Sequence, residues 1–105
     1  MKGEESMKVL AVCGLGIGSS MILKINIGKV LSELGISDYQ LDVADIGSAK
    51  SVRFDMAVTS VELADVLRKS MAEKERYRVL AINSFVDKGE MKEKAKECLE
   101  KLKVL

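Results

Sequence analysis

The feature that most limits how this chain folds is a short apolar run followed by a cysteine and three glycines at alternate positions. Residues 9–21 read VLAVCGLGIGSSM. Val9–Val12 is apolar on both faces, as expected of a parallel strand buried inside a sheet. Cys13 therefore stands at the end of a strand, where the chain turns into the glycine-rich segment.

The glycine-rich segment is typical of an anion-binding loop. Gly14, Gly16 and Gly18 lack a Cβ atom, so the backbone can take positive φ values and point its N–H groups at one centre. Ser19 and Ser20 are suitable caps for a helix that begins there, from about Ser19, and directs its positive dipole end at the loop. The segment therefore predicts a site for a phosphate-sized group.

The thiol adds a possible reaction to this binding site. A helix N-terminus favours the thiolate form of a nearby cysteine, and the thiolate is the nucleophile. A phosphocysteine at Cys13 is then the chemical hypothesis, with backbone N–H groups stabilising the phosphoryl oxygens. A tyrosine-phosphatase loop needs an arginine six residues after its cysteine, where this chain has Ser19. A small cysteine phosphatase is therefore disfavoured, whereas a non-catalytic anion- or nucleotide-binding regulator stays open as an alternative.

Residues 12–21 resemble the phosphorylation loop of IIB components of the bacterial sugar phosphotransferase system, in the ascorbate-type branch of the lactose/cellobiose and galactitol superfamily. The pattern C-G-x-G-x-G-S-S-M is matched at every fixed position, and the likeness extends through Asp55–Ser60 to the final helix. The resemblance implies an enzyme, a phosphocarrier in which Cys13 accepts a phosphoryl group from a phosphohistidine of a IIA protein and passes it to a sugar held by a membrane IIC protein. The residues that it assigns to the phosphate cradle are Gly14, Leu15, Gly16, Ile17, Gly18, Ser19 and Ser20.

Composition agrees with a small carrier domain. The chain has 105 residues, of which 48% are hydrophobic, and its 17 basic and 16 acidic residues nearly cancel. With no basic run and few aromatic residues we expect no nucleic-acid partner, and no apolar stretch is long enough to span a membrane. The chain contains no histidine and only two distant cysteines, so we expect no metal site and no cofactor. We expect a cytoplasmic monomer with a polar tail at 1–6 and one domain at 7–105.

The hydrophobic periods predict the order β-α-β-loop-β-α-β-α. Right-handed crossovers then favour a four-stranded parallel sheet in the order 2-1-3-4 with helices on both faces, a flavodoxin- or Rossmann-like three-layer sandwich. The first helix should end at Gly35, with a buried stripe of Leu23, Ile27, Val30, Leu31 and Leu34. A strand at 39–44 should lie at the edge of the sheet, followed by an irregular loop with one helical turn. The fourth strand is expected at 77–83. The last helix should be capped at Asp87 and run to about Lys103, with a buried stripe of Met91, Ala95, Cys98, Leu99 and Leu102. Cys98 falls on the apolar stripe of the last helix and is predicted to be a core residue. Cys13 is placed at the switch point of the sheet, where ligands bind in such folds.

Three further groups of residues are candidates for the site or its surroundings. Met21 and Ile25 point away from the apolar stripe of the first helix and are either covered by a neighbouring element or part of a docking patch for a partner. Thr59 and Ser60 are predicted to cap the second long helix, whose buried stripe is Leu63, Val66, Leu67 and Met71, and remain possible neighbours of the phosphoryl loop. The charged residues Asp45, Lys50 and Arg53 are expected to be solvated.

Overall fold

The computed structural model describes residues 7–14 and 17–103, and for 17–20 it describes the backbone alone. The predicted polar tail at 1–6 lies outside this part of the chain. The helices and strands follow the predicted order, with one short 3-10 helix in addition. They are β1 (Met7–Cys13), α1 (Ile17–Glu33), β2 (Tyr39–Asp45), α2 (Ile46–Ala49), β3 (Met56–Ser60), α3 (Val61–Lys69), the 3-10 helix (Glu73–Arg78), β4 (Val79–Ile82) and α4 (Lys88–Lys101).

The four strands form one parallel sheet in the order β2-β1-β3-β4, as predicted. β1 pairs with β2 from Met7 opposite Tyr39 to Cys13 opposite Asp45, and its other side pairs with β3. The winding direction reverses between β2 and β3, so β1 ends at the switch point. The C-terminal ends of the strands, here called the carboxyl edge, therefore place Cys13 where the sheet changes direction.

The side chains of β1 alternate between two cores, one on each face of the sheet. Val9 and Ala11 pack with α1 and α4, whereas Leu10 and Val12 pack with α2 and α3. In the predicted stripe of α1, Leu23, Ile27, Val30 and Leu31 are fully buried, whereas Leu34, just past the helix, is half-buried. In the predicted stripe of α4, Met91, Ala95, Cys98 and Leu99 are buried, whereas Leu102, the C-cap, is half-buried.

The end of α1 shows why a glycine follows it. Gly35 has φ of +83°. Its N–H donates to the Ser32 carbonyl, and the N–H of Ile36 donates to the Leu31 carbonyl. These two bonds are the pair of a Schellman motif, which needs a left-handed residue at this position and therefore favours glycine. The predicted role of Gly35 as the helix stop is confirmed.

Some predicted boundaries and faces were wrong. Val66 does not belong to the buried stripe of α3, because its side chain is 41% exposed while Ala64 is buried instead. β4 begins at Val79, two residues after the predicted start at Tyr77, because the 3-10 helix ends at Arg78. There the Arg78 guanidinium pairs with Glu75, three residues earlier, at 2.7 Å. α4 ends at Lys101, before the predicted Lys103, which has a left-handed φ of 63°.

The segment between β2 and β3 was predicted to be a loop with one helical turn, and α2 is that turn. β2 is confirmed as an edge strand, with Leu41 and Val43 half-buried on its inner face. Within residues 7–14 and 17–103, no helix combines the length and apolar character needed to cross a bilayer.

Candidate functional site

Cys13 is the last residue of β1, the strand that lies between β2 and β3. Its side chain is a free thiol and is partly exposed. Because the residues before it are fully buried, Cys13 is the point at which the central strand reaches the protein surface. A thiol in this position is accessible to a reactant while its backbone is held by pairing with β2.

The chain turns after Cys13 through a connection of three residues, 14–16, into α1. The helix begins at Ile17, two residues before the predicted Ser19. Ser19 and Ser20 therefore lie within the first turn, and the prediction that they cap this helix is wrong. The backbone N–H of Ser19, at the third helical position, remains among those that a helix leaves without internal partners at its N-terminus. Leu15 and Gly16, which were assigned to the phosphate cradle, lie outside the described residues.

Gly14 and Gly18 do not have the positive φ values that were expected of the glycine-rich segment. Gly14 does not have a left-handed φ, and Gly18 lies within α1. A Cβ atom built on Gly14 would lie 3.5 Å from Cδ1 of Leu63, which is ordinary van der Waals contact. Gly14 therefore lies against α3 and does not form a left-handed turn.

Thr59 and Ser60 have different roles at the end of β3. Ser60 is the N-cap of α3, with its Oγ accepting a hydrogen bond from the Leu63 N–H at 3.3 Å, so its predicted capping role is confirmed. Thr59 is not a cap. It is fully buried, and its Oγ1 donates to the Val12 carbonyl at 2.8 Å. The capping prediction for Thr59 was wrong because the spacing that suggested it begins one residue before the true cap.

Asp45 lies opposite Cys13 in the register of β1 and β2, and its side chain is used locally. Asp45 is the N-cap of α2, and its Oδ1 accepts from the Ser48 N–H at 2.7 Å. The hydrogen bonds from Ser48 lower the pKa of the Asp45 carboxyl below its usual value. The residue is exposed, which confirms the expectation of a solvated carboxylate.

The first turns of α1 carry an exposed apolar surface next to the connection that follows Cys13. Met21 and Ile25 are 44% and 53% exposed, as predicted from the helical period. Ile22, which the sequence argument did not single out, is 47% exposed. Its position three residues before Ile25 was the available signal, because residues three apart share a helix face. We call Met21, Ile22 and Ile25 the α1 patch.

A second connection at the carboxyl edge, between β4 and α4, is held by Glu90. Its carboxylate accepts from the Asn83 N–H at 2.8 Å, the Asn83 amide at 2.9 Å and the Ser84 N–H at 3.2 Å. Lys94 donates to it at 2.8 Å. Burial raises the pKa of Glu90, but these hydrogen bonds outweigh it and lower the pKa to about 2. The predicted cap of α4 by Asp87 is confirmed, because its Oδ1 accepts from the Glu90 N–H. The hydrogen bonds of the Glu90 carboxylate to the β4–α4 connection were not predicted from the sequence.

The same connection is tied to α1. The Asn26 amide donates to the Phe85 carbonyl at 2.6 Å, across 59 residues of sequence. The helix that begins beside Cys13 is thus fixed to the β4–α4 connection, while Thr59 fixes β3 to β1. The site is therefore supported by β2, which pairs with β1 at Cys13, by β3 through Thr59, and by the β4–α4 connection through Asn26.

Two comparisons with known proteins identify the family of this chain. The profile of the family described as "PTS system, Lactose/Cellobiose specific IIB subunit" matches residues 8–97. A curated relative, the ascorbate-specific PTS system EIIB component of Mycoplasma pneumoniae, is 24% identical over 91 residues, covering 85% of this chain and 90% of its own length. The family match spans every strand and most of α4. The chain therefore belongs to the lactose/cellobiose-specific IIB family and is a component of a sugar phosphotransferase system.

Proposed function

We propose that this protein is a protein-phosphocysteine sugar phosphotransferase that carries a phosphoryl group on Cys13. The single observation that carries the proposal is the position of this thiol. It is partly exposed at the end of the central strand, at the switch point of the sheet and one short connection before α1. Ligands in open parallel sheets bind at such points.

The chemistry consists of two displacements at phosphorus. In the first, the Cys13 thiolate attacks the phosphoryl group of a phosphohistidine, the S–P bond forms and the N–P bond breaks. The thiol proton passes to solvent, and the imidazole nitrogen of the donor takes up a proton as it leaves. In the second, a sugar hydroxyl attacks the phosphocysteine, the O–P bond forms, and Cys13 departs as a thiolate while the hydroxyl proton passes to a base.

We assign the phosphate cradle to Gly14, Leu15, Gly16, Ile17, Gly18, Ser19 and Ser20. Support comes from the start of α1 at Ile17, because the first N–H groups of a helix point outward from its N-terminus and its dipole favours an anion there. Thr59 and Ser60 are neighbours at the next strand end, where Thr59 acts through the Val12 carbonyl and not by contact with phosphate.

The proposed partners are a phosphorylated IIA protein as donor and a membrane IIC protein with its bound sugar as acceptor, met by a monomer on the cytoplasmic side of the membrane. The α1 patch is the proposed docking surface, since it is apolar, exposed and adjacent to the cradle. Ascorbate or a related compound is the proposed substrate, by analogy with the ascorbate specificity that the name of the relative states. We assign residues 7–105 to a single domain of this type.

The test is the intact mass of the protein after incubation with phosphoenolpyruvate, the general phosphotransfer proteins and a matching IIA protein. We expect the wild type to gain one phosphoryl group, and the Cys13→Ser variant to gain none. A wild type that stays unmodified beside a phosphorylated IIA protein would refute the carrier role.

The two alternatives predict different results with the same variant. In a non-catalytic anion- or nucleotide-binding regulator, the Cys13→Ser variant would keep its ligand affinity and the wild type would take no phosphoryl group. A small cysteine phosphatase would turn over phosphoesters such as p-nitrophenyl phosphate. We expect no such turnover, because the position six residues after Cys13 is Ser19 and not arginine.

A further inference from the structure

A cavity of about 500 Å³ lies at the edge of the sheet opposite to Cys13, where the strands begin. It is formed between the connection that joins α2 to β3 and the connection that joins α3 to the 3-10 helix. Cavities of about 300–1,000 Å³ are the usual size of small-molecule sites. The proposed phosphoryl transfer at Cys13 makes no use of this cavity.

The walls of the cavity carry an excess of positive charge. Lys8, Lys50, Arg53 and Arg78 line it, against two carboxylates, Asp55 and Glu75. Both carboxylates are engaged by Arg78, whose guanidinium nitrogens lie 2.7 Å from the Glu75 Oε1 and 3.7 Å from the Asp55 Oδ1. Arg78 is therefore already neutralised by its neighbours.

The other three cations have no such partners among the described residues. The side chains of Lys8, Lys50 and Arg53 make no hydrogen bond or ion pair with any residue of 7–14 and 17–103. Three positive charges on one concave surface repel each other at short range, and an anion bound between them would relieve that repulsion.

Apolar side chains make up another part of the lining. They are the buried Ala49 and Leu67 and the half-buried Val52, Phe54 and Met71. Apolar and cationic groups in one cavity suit a ligand with two parts, an anionic group held by the cations and a hydrophobic or aromatic group packed against Phe54. A phosphomonoester, which carries nearly two negative charges at neutral pH, matches these three cations better than a single carboxylate does.

We propose that this cavity is a second ligand site, separate from Cys13, which binds a small phosphomonoester bearing an apolar or aromatic group, with its phosphate held by Lys8, Lys50 and Arg53. From the sequence alone, Lys50 and Arg53 were expected to be ordinary solvated charges. Their convergence with Lys8 on one cavity is a property of the fold, because Lys8 lies more than 40 residues away in the chain.

The test is a titration of the isotope-labelled full chain with AMP, followed by backbone amide chemical shifts. We expect saturable shifts at the amides of 49–55 and 70–75. Adenosine, which lacks the phosphate, and inorganic phosphate, which lacks the aromatic group, should each bind at least about tenfold more weakly.

The paired variant Lys50→Gln/Arg53→Gln should weaken AMP binding by about tenfold or more. Both side chains are exposed and make no hydrogen bond or ion pair with the described residues. The matched control, Lys88→Gln/Lys96→Gln, removes the same charge from exposed positions of α4, outside the cavity, and should leave the affinity unchanged.

Three results would overturn the proposal. Equal affinity for adenosine and AMP would show that the phosphate is not recognised. An equal loss of affinity in the two paired variants would show attraction by net charge alone. Shifts confined to Gly14 and the first turn of α1 would place AMP at the Cys13 loop, a result that leaves the phosphocysteine proposal intact.

Discussion

Thr59 donates a hydrogen bond of 2.8 Å from its Oγ1 to the carbonyl of Val12, the residue immediately before Cys13. Both Thr59 and Val12 are fully buried. The bond joins the ends of β3 and β1 at the carboxyl edge and limits the freedom of the backbone that presents the thiol. Thr59 is therefore a positioning residue for Cys13.

Replacing Thr59 by valine keeps the shape of the side chain and removes this donor. We expect a loss of about 1 kcal/mol in the free energy of unfolding, measured by chemical denaturation, and slower phosphorylation of Cys13 by the IIA protein. Thr59→Ser keeps the hydroxyl and should restore the phosphorylation rate even where a lost methyl group lowers stability. A serine variant as slow as the valine variant would show that the hydrogen bond does not position Cys13.

The two cysteines should differ sharply in reactivity. Burial raises the pKa of Cys98 from 9.0 to about 11, and its side chain is 2% exposed, whereas Cys13 is partly exposed. A thiol-specific disulfide reagent at pH 8 should therefore modify one thiol in the native protein and two in guanidinium chloride. The Cys13→Ser variant should show no fast-reacting thiol in its native state.

The raised pKa of Cys98 should also make the free energy of unfolding fall at alkaline pH. Below pH 9 the thiol is protonated in both states, and its burial is fully favourable. As the pH rises from 9 towards 11, the unfolded chain loses this proton first, so the free energy of unfolding should fall. The Cys98→Ala variant, although less stable, should lack this part of the alkaline decline. An identical decline in both proteins would contradict the assignment.

Glu90 should stabilise the β4–α4 connection only while it is ionised. Its pKa is about 2 in the folded protein against 4.5 ordinarily, so the stabilisation is complete above pH 4.5 and is lost as the pH falls through about 2. Glu90→Gln should lower the free energy of unfolding by about 2 kcal/mol at neutral pH, with a smaller difference at pH 2–3. Glu93→Gln, an exposed change on the same helix, is the control and should alter stability by less than about 0.5 kcal/mol.

Two glycines should respond to alanine in opposite directions. Gly35 has φ of +83°, so Gly35→Ala should destabilise the protein by about 1 kcal/mol. Gly28 lies inside α1, where an added Cβ would lie 3.5 Å from Leu41, an ordinary contact. Gly28→Ala should therefore stabilise the protein by up to about 1 kcal/mol. Thermal or denaturant unfolding of the two variants measures both effects, and the same sign for both would contradict this reading of the backbone.

The α1 patch should affect partner binding and not folding. Because Met21 and Ile25 are about half exposed, replacing both by alanine should change stability by less than about 1 kcal/mol. The same variant should raise the KM for the phosphorylated IIA protein in the transfer reaction. Val66→Ala, at a similarly exposed position of α3, is the control and should leave that KM unchanged. A large loss of stability in the double variant would show that Met21 and Ile25 stabilise the fold and do not serve only as a docking surface.

Much of the fold was predictable because its signals are local. The apolar run before Cys13, the helical stripes of α1 and α4, and the glycine after α1 each reflect a period or a backbone requirement within a few residues. The sheet order followed from the handedness of the crossovers. Predictions failed where two local interpretations compete, as at Thr59, where a capping pattern and a buried strand end overlap.

The sequence by itself determined the thiol, its place at a strand end and the glycine-rich segment that follows, because these depend on residue type and spacing. Only the tertiary structure decided which distant groups meet there. It brought Thr59 to Val12, Asn26 to Phe85, and Lys8 to Lys50 and Arg53. The physical reason is that a hydrogen bond or a shared cavity between residues far apart in the chain depends on register and crossover, which leave no periodic trace in the sequence.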